Sequence, residues 1–335
     1  NSSQKEAVNN AFKHQISVIQ GPPGTGKTQT ILNIISNIVL QGKTVMIVSN
    51  NNSATTNVQE KLEKYGLSFI VAPLGSKENK ERFIENQPSV PSDITEWKLP
   101  KDKNHETEQE LQSNLEKLDK VFALQNERAQ LLQELQAIKL EWKHFCMDNK
   151  MEESKELEKH FSSKQILSIW LKCQATTDQT RLSNSNLFNK LIAYLKWIWM
   201  KWACKHKLHI NMELRKENLT DIILQLQAMY YLNRQYEISN RIEEIESELS
   251  TFDAKALTND MTRLSLCIFK NSLYHHYHKN KRITFEDTKA IRRQGKEFAM
   301  QYPVVLSTTF SSRSCLFTEE PYDYLIMDEA SQVSI

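Results

Sequence analysis

The octet GPPGTGKT (Gly21–Thr28) constrains this chain more than any other stretch, because it satisfies GxxxxGK[ST] between a short apolar run and a helical pattern. Upstream, SVIQ (Ser17–Gln20) predicts a strand. Downstream, Ile31, Ile34, Ile35 and Ile38 recur at helical spacing, and Gly42 suits the helix stop. Such a loop is built for phosphate. Gly21, Gly24 and Gly26 permit a tight turn whose main-chain N–H groups face inward, and Pro22, Pro23 and Thr25 complete it. The helix opening near Lys27 adds its positive N-terminal end. Lys27 is expected to bridge the β- and γ-phosphates of ATP, and Thr28 to place its hydroxyl on Mg²⁺. The bland alternative is a glycine-rich turn that binds nothing, and both flanking elements argue against it.

A phosphate loop of this kind needs an acidic partner. Asp328 and Glu329 follow the apolar run YLIM, the setting of a Walker B strand. Asp328 is expected to hold Mg²⁺, and Glu329 to orient or deprotonate the attacking water. Alone, an Asp-Glu pair at a strand end is usually just solvated. The octet in the same chain shifts the reading toward function.

TVMIVS (Thr44–Ser49) and SFIVAP (Ser68–Pro73) predict further strands, with a helix over NVQEKLEKYG between them. VVLST (Val304–Thr308) and the run ending at Asp328 restore this character near the end. Strands alternating with helices predict a parallel sheet. The middle is different. Gln87–Pro100 carries three prolines and reads as a linker. Long helices are predicted over about Asn104–Trp142 and about Asp221–Leu249, with apolar stripes that fit an antiparallel pair. The pattern between them is less regular. The expected fold is thus α/β: one discontinuous nucleotide-binding domain, residues 1–75 plus 301–335, interrupted by a mainly helical insertion over residues 76–300.

Bulk charge adds little. A net charge of +2 means that any nucleic-acid site must come from local placement of Lys and Arg. Five scattered cysteines with no CxxC pair fit a reducing compartment, the cytoplasm, or the nucleus in a eukaryote. The abrupt start without Met and the end directly after a motif are expected of an excised piece.

Together these residues resemble a superfamily 1 helicase of the group containing the nonsense-mediated-decay helicase and senataxin. NSSQKEAV resembles the Q motif, which implies that Gln4 reads the adenine edge through its amide. VMIVSNNNSATTNVQEKL resembles motif Ia, with Asn52 and Ala54 at its Asn-x-Ala positions and Thr56 and Asn57 departing from the usual residues. VVLSTTFSS resembles motif Ic, and DEASQ resembles motif II, with Gln332 implied to face the γ-phosphate. The resemblance implies a RecA-like P-loop NTPase domain with an antiparallel coiled-coil stalk in the insertion. It also implies a second RecA-like domain that would supply arginine fingers. Without that domain, slow hydrolysis is expected. Ser49, Asn52, Ser307 and Thr308 become candidates for contacting the backbone of single-stranded DNA or RNA, with helix capping the alternative for each.

Two segments stay open. Leu187–Cys204 interleaves Trp197, Trp199 and Trp202 with Lys190, Lys196 and Lys201, and Lys205 and Lys207 follow. It fits a packed helix, a single-strand binding surface or a membrane-surface helix. Packing is the first choice, and Lys and Asn interrupt it too often for a membrane span. His275, His276 and His278 suggest metal by composition only; a solvated or phosphate-near loop is expected there. Two functions therefore compete. One is an ATP-driven helicase or translocase. The other is a nucleotide switch or scaffold whose helical arm recruits a protein partner.

Overall fold

The computed structural model describes residues 2–22, 24–50, 52–152, 161–182, 194–195, 198–199, 202, 219–279, 282–316 and 321–332. In chain order its elements are α1 (Ser2–Lys13), α2 (Lys27–Leu40), β1 (Val45–Ser49), α3 (Asn52–Lys64), β2 (Val71–Pro73), α4 (Lys77–Glu85) and α5 (Lys101–Asn149). There follow α6 (Ser163–Leu182), α7 (Leu219–Ser250), α8 (Ala254–Tyr277), α9 (Thr288–Arg293), α10 (Gly295–Gln301), β3 (Val304–Thr308) and β4 (Tyr324–Asp328). They form two compact units, Asn1–Asp119 with Lys255–Ile335, and Lys120–Ala254.

The first unit is built on β1. Its five residues, VMIVS, are all buried. Val45 and Ile47 face a core that also holds Ile31–Ile38 of α2, Val58 and Leu62 of α3, and Phe269, Leu273 and Tyr277 of α8. Met46 and Val48 face the opposite core, with Phe83 of α4, Ile291 of α9, Phe298 of α10 and Tyr302. A strand covered on both faces is expected to be a near-continuous apolar run, and Val45–Val48 reads so, with the buried Ser49 at its end. The sheet is parallel, in the order β2-β3-β1-β4. Helices on both faces of a parallel sheet make an α/β domain of the doubly wound type.

Residues 76–119 and 255–300, read from the sequence as insertion, cluster with this sheet. Arg282 fastens that region. Its guanidinium donates to the carbonyls of Pro88, Phe69 and Gln301 and lies 4.4 Å from the centre of the Tyr302 ring. Burial pulls its pKa below the usual arginine range.

Three local expectations need correction. Ser17–Gln20 forms no strand, and Val18 is 89% exposed. A strand exists only through a hydrogen-bonded neighbour, and none of the four strands pairs with this segment. Only half of SFIVAP is strand: Ser68–Ile70 is a 3-10 turn and Val71–Pro73 pairs with β3. Of the three histidines only His278 lies past the helix end, in a bend. His275 and His276 close helix α8, His276 Nε2 lies 3.0 Å from the Met300 carbonyl, and His278 Nδ1 lies 2.7 Å from that of Tyr274.

In the second unit, α5 and α7 run in opposite directions. Lys120 pairs with Glu248, Glu127 with Arg241 and Glu134 with Arg234, at 2.5, 2.8 and 2.5 Å. These exposed pairs set register more than they stabilise. Between them Ile138 packs on Ile238 and Ile242, backed by Leu131 and Leu135. The segment between the long helices contains a regular helix after all. α6 packs on α7 through Ile166, Ile169 and Cys173 against Ile222 and Leu226. Their i, i+3, i+7 spacing is a helical signal too short to dominate its surroundings. Of the Trp/Lys segment, Trp199 is partly buried against this cluster, with Lys172 Nζ 4.3 Å from its ring centre, and Trp202 is exposed. Trp197, Lys190, Lys196, Lys201, Lys205 and Lys207 lie outside the described residues. Among the described residues no helix is long and apolar enough to cross a membrane.

Phe298 is fully buried among the rings of Phe83, Phe285 and Tyr302. Phe298→Ala is expected to cost about 3–5 kcal/mol of stability in urea titration, as large-to-small core changes do. Met300→Ala, at an exposed position of the same helix, is expected to cost under about 1 kcal/mol.

Candidate nucleotide and nucleic-acid site

The turn Gln41–Thr44 reverses the chain between α2 and β1, which share one core, so the two elements run in opposite directions. The N-terminal end of α2 therefore lies at the sheet edge where the strands end. Gly26 caps it at φ 85°, and Gly24 has φ 84°. Both angles fall in the left-handed region that glycine alone enters freely. No side chain caps α2, so its first N–H groups keep their donor capacity, and the helix dipole adds positive character.

The loop is held from several sides. Thr25 Oγ1 donates to the Pro22 carbonyl at 2.8 Å, and Lys27 Nζ donates to the Gly21 carbonyl at 2.7 Å. Gln4, on α1, donates through Nε2 to the Thr25 and Gly26 carbonyls at 3.1 and 3.4 Å. A methyl group at Gly26 would collide with that amide. The structure thus brings Gln4 against Gly26 and Thr25. Thr28 lies in the first turn of α2, and Pro23 lies outside the described residues.

Strand register supplies the rest of the edge. Ser49 pairs with Thr308 on one side and with Asp328 on the other. The ends of the motif Ia, Ic and II segments thus form one row, with neighbouring strands about 4.8 Å apart. Beyond Asp328 the backbone turns sharply. Glu329 adopts φ 54°, its N–H donates to Asp328 Oδ1 at 3.0 Å, and its carbonyl accepts from Gln332 N at 2.9 Å. A non-glycine residue held there stores backbone strain, a feature that concentrates at functional sites.

Asn50 is a residue that the sequence reading passed over. Its Nδ2 donates to the Gln332 carbonyl at 2.7 Å, and its Oδ1 accepts from Thr309 Oγ1 at 2.6 Å. One amide therefore ties the ends of β1 and β3 to the turn after β4. The signal was the paired donor and acceptor of an Asn directly after a buried strand, but its partners lie more than 250 positions away in sequence.

The four candidate nucleic-acid residues do not share one environment. Ser49 and Ser307 are buried, at 0% and 1% exposure, and Ser307 Oγ lies 3.4 Å from Cys315 Sγ. Thr308 is half-buried and its hydroxyl accepts from Ser311 N at 3.2 Å, closing the turn after β3. Asn52 is the first residue of α3, and its side chain lies outside the described residues. For Thr308 the geometry is that of a turn cap.

The chain matches the profile of the AAA domain family over residues 1–334. It belongs to that family. Within it, the chain falls in the superfamily 1 group of nonsense-mediated-decay-type helicases. It is 38% identical over 71 residues to DNA polymerase alpha-associated DNA helicase A of Schizosaccharomyces pombe. It is 36% identical over 85 residues to regulator of nonsense transcripts 1 of Caenorhabditis elegans, and 33% identical over 87 residues to ATP-dependent helicase NAM7 of Saccharomyces cerevisiae. These matches cover 21%, 25% and 26% of this family member and only 11%, 8% and 9% of those relatives. No solved structure matches it.

The Gly26–Gln4 contact is testable. Gly26→Ala is expected to lower stability by about 1–2 kcal/mol, from the left-handed backbone and the collision with Gln4. In a Gln4→Ala background the same change should cost measurably less in urea titration, because only the backbone strain remains. Equal costs in both backgrounds would remove the contact from the account.

Proposed function

We propose that this chain is the ATP-binding first motor domain of a superfamily 1 helicase or translocase that acts on single-stranded DNA or RNA and couples ATP hydrolysis to movement. The observation that carries the reading is the shared edge. The phosphate loop and the row Ser49, Thr308 and Asp328 end on the same side of one parallel sheet. The helicase names of the relatives support it.

In this reading the main-chain amides of Gly21–Thr28 and the Lys27 ammonium hold the triphosphate. Gln4 leaves its loop carbonyls to meet the adenine edge. The Thr28 hydroxyl and the Asp328 carboxylate are hard oxygen donors of the kind Mg²⁺ takes. When bound, Mg²⁺ supplies charge neutralisation between the phosphates. Glu329 positions the attacking water and accepts its proton, while the Gln332 side chain senses the γ-phosphate. A second RecA-like domain supplies the arginines that stabilise the transition state. Residues 1–75 and 301–335 carry the motor motifs of this reading, with α4 and α8–α10 completing their cores. Residues 76–300 are its insertion, with the α5/α7 pair as a coiled-coil stalk and a surface for a protein partner.

Among the described residues Lys27 Nζ rests on one neutral carbonyl, a modest partner for a cation. Trading it for phosphate oxygens gives charge-assisted hydrogen bonds, which are about twice as strong. Lys27→Ala is expected to weaken MgATP binding about ten- to hundredfold by calorimetry. Glu329→Gln should leave that affinity within about twofold, since its role begins at the chemical step. Equal affinity of the wild type and Lys27→Ala would sink the assignment of the loop.

A further inference from the structure

Phe310 is 99% exposed, on the turn that follows β3. An apolar ring held fully in water is unfavourable, and the sequence around it, Thr308-Thr309-Phe310-Ser311-Ser312, needs no aromatic residue to turn. The mount is rigid on both sides. Thr309 N donates to the Ser49 carbonyl at 3.2 Å, and Thr309 Oγ1 donates to Asn50 Oδ1 at 2.6 Å. Ser311 N donates to the Thr308 carbonyl at 3.1 Å, and Ser312 Oγ donates to the Thr309 carbonyl at 2.7 Å. The backbone on either side of the ring is thus fixed before anything touches it.

We propose that Phe310 is a stacking platform for one unpaired base of single-stranded nucleic acid. The inference rests on the function proposed above and deepens it. Every base offers a π-face, so an exposed ring binds a strand without reading its sequence. The groups beside the ring suit the strand's backbone. Arg313 is exposed on the next turn, Lys80 Nζ reaches Ser314 Oγ at 2.5 Å, and Ser311, the neighbour of the ring, carries a further hydroxyl. Hydroxyls and cations contact phosphate without selecting a base. The same role does not fall to Ser49 and Ser307, because both are buried. Through Thr309 and Asn50 the platform is also hydrogen-bonded to the Gln332 turn, so a strand seated on Phe310 would be two side chains away from that element.

The test is fluorescence anisotropy with oligothymidylate and oligouridylate single strands, in the presence of MgATP. Phe310→Ala is expected to weaken binding about five- to hundredfold, the usual loss of one stacked base, while Phe310→Trp retains it. A strand with an abasic tract should bind the wild type as weakly as Phe310→Ala binds the intact strand, and should not discriminate between the two proteins. MgATP affinity should be unchanged by Phe310→Ala, which also reports an intact fold. Wild-type binding that Phe310→Ala leaves unaltered would overturn the platform and spare the motor reading. Self-association of the wild type abolished by Phe310→Ala, with strand affinity unaltered, would make the ring a contact between copies instead. A wild type that binds neither strand would overturn both.

Discussion

Hydrogen bonding of β1 to β3 on one side and β4 on the other is the constraint on which the rest of the site depends. Parallel pairing in a single register leaves no freedom at the strand ends. Once Val45 lies opposite Val304 and Tyr324, Ser49 must lie opposite Thr308 and Asp328. Shifting one strand by one residue would turn each of its side chains to the other face and bury polar groups in the core. The two hydrophobic layers therefore enforce the geometry of the polar edge.

That edge is then trimmed by short-range polar bonds. The amide of Asn50 reaches two separate chain segments, and the turn at Glu329 is strained. Such bonds are modest singly, but each joins groups already brought close by the sheet, so little further ordering is needed. The consequence is an edge on which the Gln332 turn and the Thr309 turn, given to nucleotide and to nucleic acid in the proposed reading, are joined by one network. A change at one can reach the other without a long path.

The match to the AAA domain family runs over residues 1–334, while matches to individual relatives cover about a quarter of the chain or less. The second unit, Lys120–Ala254, obeys ordinary helix-pairing rules: an apolar seam flanked by ion pairs. Its job in the proposed motor is mechanical or recruiting. Nothing in the chemistry of the edge requires it.

Local pattern alone was enough for the elements whose signals are short-range. The glycine-rich turn of GPPGTGKT, the apolar runs VMIV and VVL, and the long charged helices each announce themselves within a few turns of chain. Glycine at the left-handed positions 24 and 26 is likewise a local steric demand. Tertiary structure decided what depends on distant partners. Ser17–Gln20 reads as a strand yet pairs with none of the four strands, and α8 belongs to the sheet's core despite its place in the helical middle. Burial of Ser49 and Ser307 beside exposure of Phe310, all within a few residues of two strand ends, follows from packing across the sheet. A pattern can say that a residue lies at a strand end; only the neighbours brought there by folding decide whether it meets water, backbone or core.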